Sequence, residues 1–216
     1  MDLVAPVDLV LRTTRSVRRR IDFERPLEPA LIEACIASAV QAPTGLRREA
    51  WRFVVLTEPE PKRAVGALYR DAFHELRTQR LEALRRSGES FREPGLSYQE
   101  LADRLEQFPA LILVCSLGRP AAHDLAQQLA FYGSVLPAAW SLMLALRARG
   151  IGATWTTLLS ARERETAAAL GIPADVTPTV LLPAGWLRDA VLRQATRRAP
   201  REVTYWNAWG RPRDQG

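Results

Sequence analysis

The feature that most constrains this chain is residues 122–149, AHDLAQQLAFYGSVLPAAWSLMLALRAR, a segment of helical length that is apolar nearly all round. A surface helix shows one apolar stripe, so a helix carrying Leu125, Leu129, Phe131, Val135, Leu136, Trp140, Leu142, Met143 and Leu146 is expected to be central and buried. Pro137 should kink it or mark a nearby break, and Gly150 should end it. The rest of the chain must then wrap this helix.

Suitable elements are present on both sides of it. WRFVVLT (51–57), ALILVCSL (110–117), ATWTTLL (153–159) and VTPTVLLPAGW (176–186) have the apolar, β-branched character of buried strands. Pro6 opens a short helix over 6–14. Pro29 starts another, whose Leu31, Ile32, Cys35, Ile36, Ala39 and Val40 keep helical spacing until Pro43 and Gly45 stop it. A long helical pattern covers about Pro61 to Arg86 and a second, short helix Tyr98 to Phe108, with 87–95 as an interruption, and Ser160 is placed to cap a helix that stops at Gly171. There is no internal repeat and no low-complexity linker. One α+β domain spanning 1–216 fits best.

Composition removes several classes of function. Cys35 and Cys115 lie in apolar surroundings and are expected as buried free thiols. His74 and His123 stand in no metal-ligand spacing, which argues against a zinc enzyme. GxSxG, Walker and GxGxxG motifs are missing. The first residues lack a signal-peptide pattern, and no apolar run is expected to reach the roughly 20 residues of a membrane span, so a cytoplasmic protein without a membrane partner is expected. The net charge of +6 and pI near 10.1 invite a nucleic-acid reading, yet 29 of the 30 basic residues are arginine, a bias that surface electrostatics alone does not demand. A chain without triad or metal can borrow its chemistry from an organic cofactor.

Three segments could hold one. Thr14-Arg15-Ser16-Val17-Arg18-Arg19-Arg20 sets guanidinium groups and a hydroxyl on a short loop, a set suited to a phosphate dianion or to plain solvation. Gln41-Ala42-Pro43-Thr44-Gly45 ends the second helix in a turn fixed by proline and glycine. Residues 147–157, RARGIGATWTT, leave the central helix through Gly150 and Gly152, whose missing side chains permit close backbone approach to a flat ligand.

Taken in this order, the segments resemble the FMN-dependent nitroreductase family. RSVRRR is similar to its Arg-Ser-x-Arg phosphate loop, and residues 38–55 to its helix, Ala-Pro-[Ser/Thr] turn and first core strand. Residues 134–158 are similar to its central helix and glycine turn, LGIPADVTPTVLLPAGW to its last core strand, and TRRAPREVTYWNAW to its terminal arm. The resemblance implies a three-layer α+β fold with a central mixed or antiparallel sheet wrapped by helices. It further implies a variable helical lid over 60–107, and a C-terminal arm, 187–216, exchanged in a homodimer. It implies that Arg15, Ser16, Arg18 and Arg198 hold the FMN phosphate and ribityl oxygens. Pro43, Thr44 and Arg47 would border the flavin from the other subunit, and the backbone at Thr156 and Thr157 would face the ring. The implied reaction is ping-pong hydride transfer from NAD(P)H to an electrophile such as a nitroaromatic or quinone, with no general acid from the protein.

The chain departs from the family at three places. Arg47 and Glu49 stand where Asn and Gln are usual. Arg47 either faces the pocket, where it favours acidic acceptors or alters flavin contacts, or faces solvent to no effect. Thr14 replaces the first of two paired arginines, a contact that Arg19 or Arg20 could restore. Residues 60–107 match no motif. A flavin-binding or flavin-storing protein with an altered turnover site is the alternative. If the 15–20 loop and the 193–201 tail converge on one phosphate, the basic charge no longer requires nucleic acid.

Overall fold

The computed structural model describes residues 3–45, 48–87, 96–188 and 192–213, and the chain forms two compact units. The larger runs from Thr14 to Ala190. The smaller joins the chain up to Thr13 with that from Val191 onward.

The larger unit is built on five antiparallel strands: β1 (Ile21–Asp22), β2 (Trp51–Leu56), β3 (Ala110–Leu117), β4 (Ile151–Ala153) and β5 (Val176–Leu187). Their order is β1-β5-β3-β2, with β4 also paired to β5. β3 is flanked on both sides, from Trp51↔Ser116 to Leu56↔Leu111 on one edge and from Ala110↔Ala184 to Leu117↔Val176 on the other. Every β3 residue but Leu117 is buried, which is why ALILVCSL reads as an unbroken apolar run rather than an alternation. Pairing slips at Val114/Cys115, where Val114 faces Val180 and Cys115 faces Pro178. A proline has no amide for the ladder and is tolerated at such a bulge, and the intervening Thr179 Oγ1 donates to the Val114 carbonyl at 2.7 Å.

One sheet face carries Ile112, Val114, Val180 and Leu182, packed against α2 (Pro29–Ala39) and α5 (Leu125–Ala148). Leu111, Leu113 and Leu181, on the other face, are equally buried. There the 3-10 turn Leu158–Arg162 and α6 (Glu163–Leu170) reach β5, and α3 (Pro59–Ser87) packs on both and on α4 (Leu96–Arg104). The result is the expected α+β layering around an antiparallel sheet.

The central helix differs from its reading in two respects. α5 continues through Pro137 without a break, and its fully buried residues, Val135, Ala138, Ala139, Leu142, Met143 and Leu146 among them, are confined to its C-terminal half and the turn before it. Leu125 and Leu129 are 69% and 64% exposed, and Tyr132 and Trp140 are also exposed. By length and composition α5 could cross a membrane, contrary to the expectation that no segment qualifies, but that half of it serves as core. Gly150, at φ 77°, ends it as expected.

Other differences are local. The strand expected over 153–159 is found at Ile151–Ala153; its pairing with β5 persists in register as far as the Thr156↔Leu181 bridge, and the 3-10 turn Leu158–Arg162 ends it. Ser160 caps nothing; it lies within the 3-10 turn, its amide donating to the Thr157 carbonyl. β1 is too short for any periodicity to announce it. The interruption expected at 87–95 falls, beyond Ser87, outside the described residues.

The smaller unit holds α1 (Val4–Thr13), braced by an Arg12–Asp8 ion pair at 2.7 Å, and a tail whose described regular structure is one 3-10 turn, Pro200–Glu202. In the tail Tyr205 and Trp209 stack with centroids 4.9 Å apart, yet Trp209 stays 91% exposed.

Candidate functional site

The arginine loop is fixed by its smallest members. The Val17 amide donates to the Ala153 carbonyl at 3.0 Å, Thr154 Oγ1 donates to the Val17 carbonyl at 2.7 Å, and the Trp155 amide donates to Ser16 Oγ at 3.0 Å. Residues 153–156 are thereby held between β5 and the loop. The sequence reading put these two segments at one site, and the structure joins them residue by residue.

Gly152 has a packing role that the sequence reading did not foresee. A Cβ there would lie 2.6 Å from Leu187 Cδ2, 2.9 Å from Ile21 Cδ1 and 3.3 Å from Val17 Cβ. Its β-ladder partner Gly185 is equally crowded, by Ile21 Cγ2 at 2.6 Å and Pro109 Cδ at 2.9 Å. Ile21 fills the space left by both glycines, joined at Gly152 by Leu187 and by Val17 of the arginine loop.

With Val17 anchored inward, the neighbouring arginines are displayed. Arg15 Nε and Nη2 and Arg18 Nε are buried and have no hydrogen-bond partner among the described residues. Burying a cationic donor unpaired costs several kcal/mol in principle, so such groups are sites where an anion is stabilising. Arg18 also stacks under the Tyr98 ring, 4.2 Å from its centroid. Arg19 is committed to the Glu100 carboxylate, so it does not stand in for the arginine that Thr14 replaces.

Tyr69 of α3 completes the cluster. It is buried, and its hydroxyl bonds Thr156 Oγ1 at 3.0 Å. Burial pushes its ionisation above the usual phenol value, partly offset by the Thr156 bond and by the charge of Arg18. At neutral pH it is a phenol that can donate. The amide of Thr156 is spent on the Leu181 carbonyl at 3.1 Å, whereas the Thr157 amide has no partner among the described residues.

Next to the loop opens a groove of about 760 Å3 lined by Ser16, Trp155 and one face of α5, including Tyr132, Gly133, Pro137 and Trp140. Pro137 has no amide for the Gly133 carbonyl, which leaves an acceptor on this wall. The 41–45 turn is tied to the same helix by the Gly45 amide donating to Ser134 Oγ at 3.1 Å; Pro43 is exposed and Thr44 half-buried. Arg47 lies outside the described residues, and Arg198 is exposed in the tail of the smaller unit. Sequence reasoning missed Tyr69 and Tyr98, although Val65, Tyr69, Ala72 and Phe73 form a helical stripe in which only the tyrosine has a polar tip.

The larger unit thus sets two half-buried arginines, with guanidinium nitrogens that find no partner among the described residues, beside an apolar groove. The sequence model of the Nitroreductase family matches residues 11–186, and the chain belongs to that family. It is 28% identical to mouse iodotyrosine deiodinase 1 over 195 residues, covering 88% of this chain and 65% of that protein. It thus spans somewhat less than two thirds of the curated relatives it matches. Its fold matches the FMN-dependent nitroreductase NfnB of Mycobacterium smegmatis in complex with NADPH, with TM-score 0.71, 18% identity, and 96% and 100% of the two chains covered. It also matches oxidized iodotyrosine deiodinase bound to FMN and 3-iodo-L-tyrosine, with TM-score 0.68, 21% identity, and 94% and 100% coverage.

Proposed function

We propose that this protein is an FMN-dependent oxidoreductase that takes hydride from NAD(P)H and delivers it to an electrophilic small molecule, and that it works as a homodimer. The observation carrying this reading is the pair of buried, unpaired guanidinium edges on Arg15 and Arg18, on a loop locked to 153–156 beside an apolar groove. Those donors fit a phosphate dianion, and the groove's aromatic wall fits a flat ring. Bound there, FMN would supply the hydride-accepting and hydride-donating chemistry that no side chain of this site provides.

The chain's own residues have narrower tasks. Arg15 and Arg18 bind phosphate oxygens, joined by Arg198 from the tail. Ser16 Oγ already accepts from Trp155, which leaves its hydroxyl hydrogen for a ligand oxygen. The Thr157 N–H is the amide left to donate to the ring, where a fixed dipole stabilises electron density gained on reduction. Pro43, Thr44 and Arg47 serve the site of the second copy. The exposed apolar residues of α5, Leu125, Leu129, Tyr132 and Trp140, support that copy, since a patch of this kind on a folded surface is a partner site.

The test is spectroscopic. Purified protein should carry or take up FMN, and NADH or NADPH should bleach it anaerobically, with reoxidation by a nitroaromatic or quinone. Protein that binds no FMN refutes the reading; FMN that stays oxidised with either nucleotide leaves the flavin-storing alternative. The deiodinase relatives make 3-iodo-L-tyrosine a second acceptor class for the same assay.

A further inference from the structure

α4 lies in the segment expected to act as a substrate lid, yet its side chains are spent on the arginine loop and the strand after it. Tyr98 covers Arg18, Glu100 pairs with Arg19, and Arg104 stacks on Phe23 with its Cζ 3.9 Å from the ring centroid. Phe23 is in turn set edge-on against buried Phe108, centroids 5.2 Å apart, so the outer end of this row is anchored in the core. The helix therefore runs along residues 18–23 as a splint, while hydrogen bonds to 153–155 hold the loop's other side.

The two arginines it touches are treated differently. Arg19 is neutralised by a carboxylate. Among the described residues Arg18 is held through its face, and a stacked guanidinium keeps its N–H donors in its own plane, where they can meet an oxyanion. Its Nε is buried with no partner. We infer that Tyr98 is a positioning residue, setting the plane of the Arg18 guanidinium so that its edge meets the flavin phosphate. This inference rests on the FMN reading above. It makes α4 a determinant of cofactor retention rather than of acceptor choice.

The experiment compares FMN with riboflavin, which differ only in the phosphate, by fluorescence titration of the parent, Tyr98→Ala, Tyr98→Phe, Arg18→Ala and the Arg18→Ala/Tyr98→Ala double variant. Tyr98→Ala should weaken FMN about two- to fivefold, the range expected for an exposed cation–π contact, and leave riboflavin unchanged. Tyr98→Phe keeps the ring face and should restore FMN binding. In the Arg18→Ala background, Tyr98→Ala should have no further effect. Equal weakening of both flavins, or an undiminished effect without Arg18, would show a structural role and overturn the inference. A parent that binds FMN while Tyr98→Ala matches it removes the positioning role alone. A parent that takes up neither flavin overturns the FMN reading, and this inference with it.

Discussion

Gly152→Ala tests whether the glycine turn serves the ligand or the loop. The added methyl would sit 2.6 Å from Leu187 Cδ2 and 2.9 Å from Ile21 Cδ1, where carbon contacts optimise at about 3.5–4.0 Å. Leu187 is half-buried and can swing aside. Ile21 is fully buried beneath Gly185, and Val17 Cβ, at 3.3 Å, moves only with its backbone. Overpacking of this kind costs about 1–3 kcal/mol, and the loss of unfolded-state freedom on replacing glycine returns about 0.4–1 kcal/mol. A net loss of about 1–2 kcal/mol lowers Tm by about 2–8 °C for a chain of this size. Because Val17 lies between Arg15 and Arg18, FMN affinity should fall in the same variant. Thermal unfolding of the apoprotein and FMN titration measure the two effects. If glycine were there only to admit a ligand, the apoprotein would melt with the parent while FMN binding dropped, and that outcome would falsify the packing argument.

The other expected outcomes follow from single contacts. Arg15→Ala should weaken FMN by about 1.5–3 kcal/mol, roughly 10- to 150-fold, without lowering apoprotein Tm, since it deletes a half-buried cation whose Nε and Nη2 find no partner among the described residues; Arg198→Ala should weaken FMN likewise, and parental affinity in both sinks the phosphate assignment. Tyr69→Phe deletes the bond to Thr156 and should cost about 0.5–1.5 kcal/mol in urea unfolding, and a parental midpoint would mean that the hydroxyl contributes nothing. Burial pushes the Cys115 thiol from its ordinary 9.0 up to about 12, so its contribution to stability is complete below pH 9 and is lost as pH rises toward 12. The Tm gap between the parent and Cys115→Ala should therefore narrow over that interval; a constant gap contradicts it. Leu129→Asp should yield monomers in sedimentation velocity, and a dimer that survives it argues against α5 as the shared face.

Much of the fold was legible because burial leaves an imprint at strand and helix periods. β3 and β5 were found from runs that only two covered faces permit, and α2 from its Pro29 start and apolar spacing. α5 misled because uniform apolarity has two physical causes. Its C-terminal half is apolar from being core, and its N-terminal half has an exposed apolar face that the sequence writes in the same letters. The 153–159 strand was read too long because Thr157, Leu158 and Leu159 are strand-like in composition, while the chain leaves β5 after Thr156 for the 3-10 turn Leu158–Arg162; the Trp155 amide is held by Ser16, some 139 residues distant, a contact that no local pattern shows. Tyr98 and Glu100 were invisible for the same reason: their roles exist only after α4 reaches residues 18 and 19.

The arginine excess shows why placement outweighs number. Arg12, Arg19, Arg70, Arg119 and Arg162 are each matched by a carboxylate, and pairs of this kind on the surface contribute little and bind nothing further. Arg15 and Arg18 have paid part of their desolvation without receiving a counter-charge from the described residues. An arrangement of that sort is a standing cost to the empty protein, and it becomes favourable only when an anion arrives from outside. The same two residues lie on either side of Val17, whose position is fixed by the crowding at Gly152 and by two hydrogen bonds to 153–154. Rigidity at Val17 and unmet charge on either side of it are what an oxyanion site requires. An overall charge of +6, spread over paired helix faces, would supply neither.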